Sequence, residues 1–397
     1  MSERHLTPGG RGYLMVNAHP QGAAATVDML WRQLPQQEAA AEKSPVVVVV
    51  GFSAGYGLAA TLAAARRGAV GVGVAYEADE TRRRTASAGW YHAARTAELA
   101  AGWTFLNTDA FADTAKTEVI KELAQRYGRV DHLIYSIAAP RRTDPVTDQV
   151  HRSVILPLGQ ASTAKTLEFT DGRPFIGGST LQPATDAERD ATVKVMGGED
   201  WQRWIDALAE ADLLADGFTT TALTYVGSDL TADLYRNGTI GAAKGHLEAS
   251  AHHLGTRLAD LGGRAFTAVA GATVTQASTA IPSIALYTSL LHHVLGDEGF
   301  LTTAQQMRAL WSQLAAEEPL SLDDAGRIRL DGWELDATVQ SQVRTRWEQI
   351  NTENVTDHAD AGWFRRQVGQ LHGWNVPGID VDLPSQTTVP WPPEPTV

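Results

Sequence analysis

Three observations in the sequence predict an α/β fold: a mostly parallel sheet flanked by helices, with an inserted covering subdomain and a helical C-terminal region. The valine run Val46–Val50 passes through a glycine-rich loop straight into an Ala-rich stretch. Strand-like and helix-like segments then alternate as far as Pro140. The alternation stops between 141 and 218 and resumes afterwards. Strands alternating with helices imply right-handed crossovers, and hence parallel pairing.

In chain order, the β-branched run Val46–Val50 reads as a strand, 51–57 as a flexible loop and Leu58–Arg67 as a helix. Further strands are expected at Val70–Tyr76, Thr104–Leu106 and Val130–Ile137, with helices at Ala86–Ala101 and Ala112–Arg126. Residues 141–218 mix turn clusters such as Thr170-Asp171-Gly172-Arg173-Pro174 with a short Trp-rich helix, Trp201–Leu208. The pattern returns with a strand at Thr219–Val226, a helix at Thr239–Leu261 and a strand at Ala265–Val269. Helices at Ala285–Leu295, Thr303–Ala316 and Val339–Ile350 follow, and a Pro-rich tail from Pro384 to Pro395 reads as a surface strap or a disordered end. The expected division is therefore 1–140 (N-terminal segment and first part of a dinucleotide-binding domain), 141–218 (inserted covering subdomain), 219–300 (second part of that domain) and 301–397 (helical region and tail).

Composition narrows the function. The 397 residues are 43% hydrophobic and 20% charged, with 33 basic against 46 acidic side chains and a formal charge of -13. That acidic balance disfavours nucleic acid and anionic membrane surfaces. The absence of cysteine removes disulfides, thiolate nucleophiles, iron–sulfur clusters and Cys-ligated zinc. No apolar run approaches membrane-spanning length and the first ten residues lack a signal-peptide pattern, so a cytoplasmic protein without membrane insertion is expected. Metal catalysis is not expected either: HExxH is missing, and the neighbours in His252-His253 and His292-His293 point apart on a helix.

The loop Gly51-Phe52-Ser53-Ala54-Gly55-Tyr56-Gly57 has GxxxGxG spacing between strand and helix. Such glycines let backbone amides approach a pyrophosphate at the positive end of a helix dipole, in the manner of a Rossmann-type fold, although an ordinary βα turn remains open. Glu77, after Tyr76 at the end of the next strand, sits where a carboxylate takes the adenosine ribose hydroxyls and repels a 2′-phosphate. NADH is therefore expected, with NADPH as the alternative because Arg82-Arg83-Arg84 follow closely. Asp109-Ala110, after the third strand, suit the adenine unless Asp109 is a helix cap. Ser136 and Ala138, ending the fourth, are small residues beside the dinucleotide path.

Tyr235 and Lys244 lie nine positions apart, which on an unbroken helix would put them on opposite faces. Asn237-Gly238 supplies a break and Thr239 a cap, so Tyr235 can fold back towards Lys244, whose ammonium would lower the phenol pKa and reach ribose hydroxyls. A core tyrosine beside a surface lysine is the alternative.

The Tyr-x8-Lys pair, the glycine loop, Val193-Lys194-Val195-Met196-Gly197-Gly198-Glu199-Asp200-Trp201 and Val274-Thr275-Gln276-Ala277-Ser278 together resemble the trans-2-enoyl-CoA and enoyl-acyl-carrier-protein reductases of the FabV type. The likeness runs from Arg11-Gly12 and Ala18-His19-Pro20 through Ala88-Gly89-Trp90-Tyr91 to Asp331-Gly332-Trp333-Glu334 and Thr352-Glu353-Asn354. It implies a single Rossmann-type body with a small covering subdomain, NADH without flavin or metal, and an acyl-CoA or acyl-carrier-protein thioester substrate. It makes Tyr235 the catalytic tyrosine, Lys244 the cofactor-side lysine and Tyr225 a second active-site phenol, with Thr275 and Gln276 beside the nicotinamide. Departures from the pattern are Ala232, Asp233 and Arg236 around the tyrosine, Phe52 in the glycine loop and Ala78 after Glu77.

Two other functions stay open: reduction of a different activated alkene or carbonyl, suggested by Ala232, Asp233 and Arg236, and non-catalytic dinucleotide sensing. Arg141-Arg142 and Arg365-Arg366 are candidate anchors for the phosphates of a thioester carrier. A monomer or weak homodimer is expected.

Overall fold

The computed structural model describes residues 3–10, 12, 13, 15–36 and 44–392; Arg11 and the tail beyond Pro392 lie outside them. Seven strands form one parallel sheet: β1 (Val46–Val50), β2 (Val70–Ala75), β3 (Trp103–Asn107), β4 (Val130–Tyr135), β5 (Leu214–Thr224), β6 (Arg264–Val269) and β7 (Ile328–Arg329). Their order is β7-β6-β5-β4-β1-β2-β3. All five valines of β1 are buried, as a strand covered on both faces requires. Alternate valines separate to opposite sides: Val47 and Val49 join one core with Phe52, Phe105 and Trp311, while Val46, Val48 and Val50 join the other with Leu123, Trp201 and Trp204.

Twelve helices accompany the sheet among the described residues: α1 (Pro20–Gln33), α2 (Gly55–Arg66), α3 (Ala88–Leu99), α4 (Asp113–Arg126), α5 (Asp186–Met196), α6 (Glu199–Glu210), α7 (Thr239–Leu258), α8 (Ile284–Gly299, broken at Gly296), α9 (Thr303–Leu314), α10 (Ala337–Gln349), α11 (Val355–His358) and α12 (Ala361–Leu371). The chain runs outward from β1 to β3 and returns to β4 on the far side of β1. A topological switch point therefore opens between the carboxyl ends of β1 and β4, where sheets of this kind bind ligands.

The structure redraws several elements. The strand expected at Thr219–Val226 begins at Leu214, because Leu214 already pairs with Val130 ahead of an irregularity that ends at Thr219. Helix α6 carries Trp201 and Trp204 into the core beneath the sheet, so the inserted stretch covers the site with its earlier part. That part consists of two hairpins, Arg141–Thr143 with Val150–Arg152 and Ser162–Thr170 with Arg173–Leu181. The second turns on Asp171 and Gly172, both at positive φ (49° and 80°), as a two-residue hairpin of this hand needs. Helices α1, α5, α11 and α12 and the edge strand β7 have no counterpart among the expected elements.

Gly197-Gly198 joins α5 to α6 where a Cβ on Gly198 would lie 2.2 Å from Ser250 Oγ, so the glycines let this junction press onto α7. The tail is a strap: Ser385–Gln386 pairs with Glu3–Arg4, and Trp391 Nε1 donates to Phe105 O at 2.8 Å. No helix among the described residues is long and apolar enough to cross a membrane.

Candidate active site

The first turn of α2 opens onto the switch point with no side-chain cap, so its amides are free for an anion. Gly51 adopts φ +91°, and a Cβ there would sit 2.4 Å from Ser136 O. A Cβ on Gly57 would lie 1.9 Å from Gly51 O, so only glycine allows helix and strand to meet so closely. Phe52 points the other way. It stacks on Phe105 with centroids 4.6 Å apart and meets Trp391 edge-on, so this departure fills core and leaves the cleft unchanged.

A cavity of about 620 Å³ lies above the loop, bordered by Gly51, Ser53, Gly55, Tyr56, Tyr76, Glu77, Asp109, Ala110, Ser136, Ala138, Thr275 and Gln276. Gly57 supports it from within α2. Glu77 receives Ser53 Oγ–H on Oε1 and Ser87 Oγ–H on Oε2, both at 2.5 Å, and burial holds its carboxyl above the usual range against those two bonds. Asp109 accepts Phe111 N–H at 3.0 Å, turning the chain into α4. Tyr56 borders the cavity with its ring, but its hydroxyl donates inward to Gly271 O. Arg82, Arg83 and Arg84 are exposed and border none of this space.

A second cavity of about 570 Å³ adjoins the first and shares Tyr56, Ser136, Ala138, Thr275 and Gln276 with it. Tyr225, Tyr235 and Lys244 form one wall; Ile155, Met196, Leu223, Ile281 and Ile284 make the remainder largely apolar. Tyr225 follows β5, whereas Tyr235 sits on turns closed by Asn237 N–H to Ala232 O (2.8 Å) and Gly238 N–H to Tyr235 O (3.2 Å). Gly238 caps α7, not Thr239, whose hydroxyl instead bridges to Val154 O at 2.6 Å and ties α7 to the covering segment.

The break brings Tyr235 and Lys244 to one cavity, yet the expected effect of the lysine on the phenol is overturned. Burial pushes the Tyr235 hydroxyl well above its ordinary range, and the Glu334 carboxylate pushes it further. Tyr235 is therefore a neutral donor. Its hydroxyl has no protein partner among the described residues, and its ring meets Tyr225 edge-to-face at 4.7 Å. Among the described residues Lys244 Nζ hydrogen-bonds only Leu223 O, at 3.4 Å, and burial lowers its pKa to about 8.

Asp233 accepts Ser162 Oγ–H at 2.9 Å, and Arg236 grips Glu248 with both terminal nitrogens. Neither these two nor Ala232 borders the cavity, so the charges beside Tyr235 are consumed outside it. Arg142 is also withdrawn from any phosphate role: it is buried, donates to Lys194 O at 2.8 Å and lies over Phe111. Arg365 is tied to Gly172 O, whereas Arg141 borders the first cavity.

Sequence reasoning missed Glu334, Tyr287 and Gln340. Glu334 is fully buried and accepts Tyr225 O–H and Tyr287 O–H on Oε1, both at 2.7 Å, and Ala272 N–H on Oε2 at 2.5 Å. Burial raises its pKa to about 7 against those three bonds. The only available signal was the string Asp331-Gly332-Trp333-Glu334, a carboxylate among residues with no local reason to be polar.

A glycine loop at a switch point, opening into an apolar chamber walled by a neutral phenol and a buried lysine, defines a dinucleotide-dependent oxidoreductase of Rossmann type. Comparison with known proteins narrows the class. Residues 5–82 match the NAD(P)H binding domain of trans-2-enoyl-CoA reductase and 84–315 the trans-2-enoyl-CoA reductase catalytic region. An enoyl-[acyl-carrier-protein] reductase [NADH] of Streptomyces avermitilis is 52% identical over 98% of this chain and 100% of its own length. The Clostridium acetobutulicum trans-2-enoyl-CoA reductase, solved in complex with NADH, superposes with TM-score 0.91 at 32% identity, covering 97% of this chain and 98% of that one. The Treponema denticola trans-2-enoyl-CoA reductase, solved in complex with NAD, gives 0.88 at 36%, covering 96% and 98%. The chain belongs to the trans-2-enoyl-CoA and enoyl-acyl-carrier-protein reductase family.

Residues 322–384 match a domain named enoyl reductase FAD binding domain. Their described part holds β7 but no glycine loop joining a strand to a helix; α10 and α12 pack on α8. The cavity of about 210 Å³ that Trp363, Gln367, Gln370 and Leu371 help to line is far smaller than either cavity of the cleft and does not fit a flavin dinucleotide.

Proposed function

We propose that this protein reduces the C2–C3 double bond of a trans-2-enoyl thioester with NADH. The observation that carries the reading is the continuity of the two cavities, which places the Tyr225, Tyr235 and Lys244 wall directly beyond the dinucleotide loop. The family membership supports the same reaction. When bound, NADH supplies the hydride. The free amides of α2 hold its pyrophosphate, Glu77 faces the adenosine ribose, and Lys244 donates to the nicotinamide-side ribose. The apolar chamber takes the acyl chain. Hydride arrival at the β-carbon drives negative charge onto the thioester oxygen, where the Tyr235 hydroxyl donates to the developing oxyanion.

Since Ala232, Asp233 and Arg236 lie outside the chamber, the motive for a different alkene or carbonyl substrate is gone. Retention of a phenol and a lysine in the chamber argues against a mere sensor, which needs only the loop and Glu77. A cytoplasmic place, a monomeric or weakly dimeric state, and the division at 140, 218 and 300 belong to the same reading. NADH oxidation with crotonyl-CoA, followed over a panel of chain lengths on CoA and carrier protein, tests it. Binding of NADH without turnover of any enoyl thioester would refute it.

A further inference from the structure

Glu334 is the carboxylate linked by hydrogen bonds to Tyr225, a phenol of the chamber, and to Tyr287. It has no cationic partner among the described residues and is held by neutral donors alone: two phenols and one backbone amide. Its backbone carbonyl receives Gln340 Nε2–H at 2.8 Å; the same nitrogen reaches Tyr287 Oη at 3.0 Å, and Ser228 Oγ–H fixes Gln340 Oε1 at 2.6 Å. The carboxylate is thus locked from below by a polar frame, and Tyr225 leads from it to the chamber.

A phenol has one hydrogen to give. In the arrangement observed, Tyr225 gives that hydrogen to Glu334 and shows only oxygen lone pairs to the chamber. If Glu334 carries a proton, the bond reverses: the carboxylic acid donates to the Tyr225 oxygen, and the Tyr225 hydrogen turns toward the substrate. The two arrangements differ by one proton and by the direction of one hydroxyl. Tyr235 has no comparable acceptor behind it among the described residues, so it stabilises the oxyanion without a proton reserve.

We propose that Glu334 and Tyr225 form a proton relay that supplies the α-carbon of the reduced thioester, while Tyr235 holds the oxygen. The inference rests on the enoyl reductase reading above. In the step itself, the enolate electron pair takes the Tyr225 proton to make the new Cα–H bond, and the phenolate oxygen takes the proton of the Glu334 carboxylic acid. Glu334 is left as a carboxylate, which Tyr225 then serves as donor. Solvent water restores the proton through Tyr225 when product leaves. The net uptake is one proton per hydride, as the reaction requires.

The groups around Glu334 are compatible with a carboxylic acid near neutrality. Tyr225, at the end of β5, and Tyr287, on α8, donate to it; Tyr235, whose ring meets Tyr225, and Tyr56 are neutral phenols pushed upward by burial. Asp331, three residues earlier, raises Glu334 only as the weakest influence, because Arg329 takes its charge at 2.6 Å. Burial then carries the carboxyl to about 7.

The relay is tested by single-turnover kinetics of the native enzyme with NADH and crotonyl-CoA across pH, beside Glu334→Gln, Tyr225→Phe, the double variant and Tyr287→Phe. The native rate should fall as pH rises through about 7. Glu334→Gln should lose about a hundredfold in rate, with little change in KM, and lose that pH dependence. The double variant should be no slower than Tyr225→Phe, since both changes remove one pathway. Glutamine sets an N–H against Ala272 N–H and can fail to fold. Tyr287→Phe then decides: it removes one donor to the carboxylate and should move the inflection to higher pH without abolishing it. A Glu334→Gln enzyme with the native pH profile, additive losses in the double variant, or an unmoved inflection in Tyr287→Phe would overturn the relay while leaving the enoyl reductase reading intact. A native enzyme that reduces no enoyl thioester would overturn both.

Discussion

Replacing Tyr235 with phenylalanine separates catalysis from folding, because of what the hydroxyl does not touch. The ring is 8% exposed and keeps its edge-to-face contact with Tyr225 at 4.7 Å after the change. The oxygen has no protein partner among the described residues, so its removal strands no buried donor or acceptor, and unfolding free energy should change by no more than about 0.5 kcal/mol. Hydride transfer should suffer far more. Loss of one preorganised donor to a developing oxyanion costs about 2.7 to 4 kcal/mol, roughly a hundredfold to a thousandfold in rate. Rapid mixing of the NADH complex with crotonyl-CoA gives the rate, and urea unfolding of the same preparation gives the stability. NADH affinity should stay near native. The reasoning fails if hydride transfer is near normal, or if stability drops by several kcal/mol alongside the rate.

Three further expectations follow from the site and its supports. Glu77→Ala should narrow the preference for NADH over NADPH, read as the ratio of kcat/KM values, because it removes a carboxylate bordering the cavity that would repel a 2′-phosphate; an unchanged ratio would exclude Glu77 from recognition. Lys244, lowered to about 8 by burial, should lose its charge above that pH, so the Kd for NADH should rise there and the dependence vanish in Lys244→Met. The linked stability has the opposite slope: above about 8 the folded amine sheds its proton before the unfolded one does, so this group makes the protein more stable as pH climbs towards 10.5. Asp200→Ala should cost about 3 to 5 kcal/mol in urea unfolding, since it leaves the buried Lys116 ammonium, now 2.9 Å from the carboxylate, without its counter-charge.

The parts legible in the sequence share a property: their chemistry is local. Five valines announce a strand buried on both faces and the glycine loop a close strand–helix junction, each within a few neighbours, and the Asn237-Gly238 break explains how Tyr235 and Lys244 reach one wall. What stayed hidden depends on distant segments meeting. Glu334 joins Tyr225 across 109 positions, and Arg236 is neutralised by Glu248 two turns into the next helix. Helix α6 reads as part of an insertion because its amphipathic face names no partner; only the fold shows Trp201 and Trp204 beneath the sheet. Phe52 looks like a change in the cofactor loop until Phe105 and Trp391 close around it.

The strap that ends at Trp391 also sets a temporal order. Phe52 belongs to a strand–loop–helix unit that leaves the ribosome well before part of its socket, Trp391, which is made 286 positions beyond the Phe105 whose carbonyl it holds. Trp90 waits similarly for Val389, 299 positions on. The nascent dinucleotide half must therefore persist with an open aromatic seam while the remaining chain is synthesised, a state that favours slow closure and exposes apolar surface to chaperones. A segment made late thus seats a loop made early.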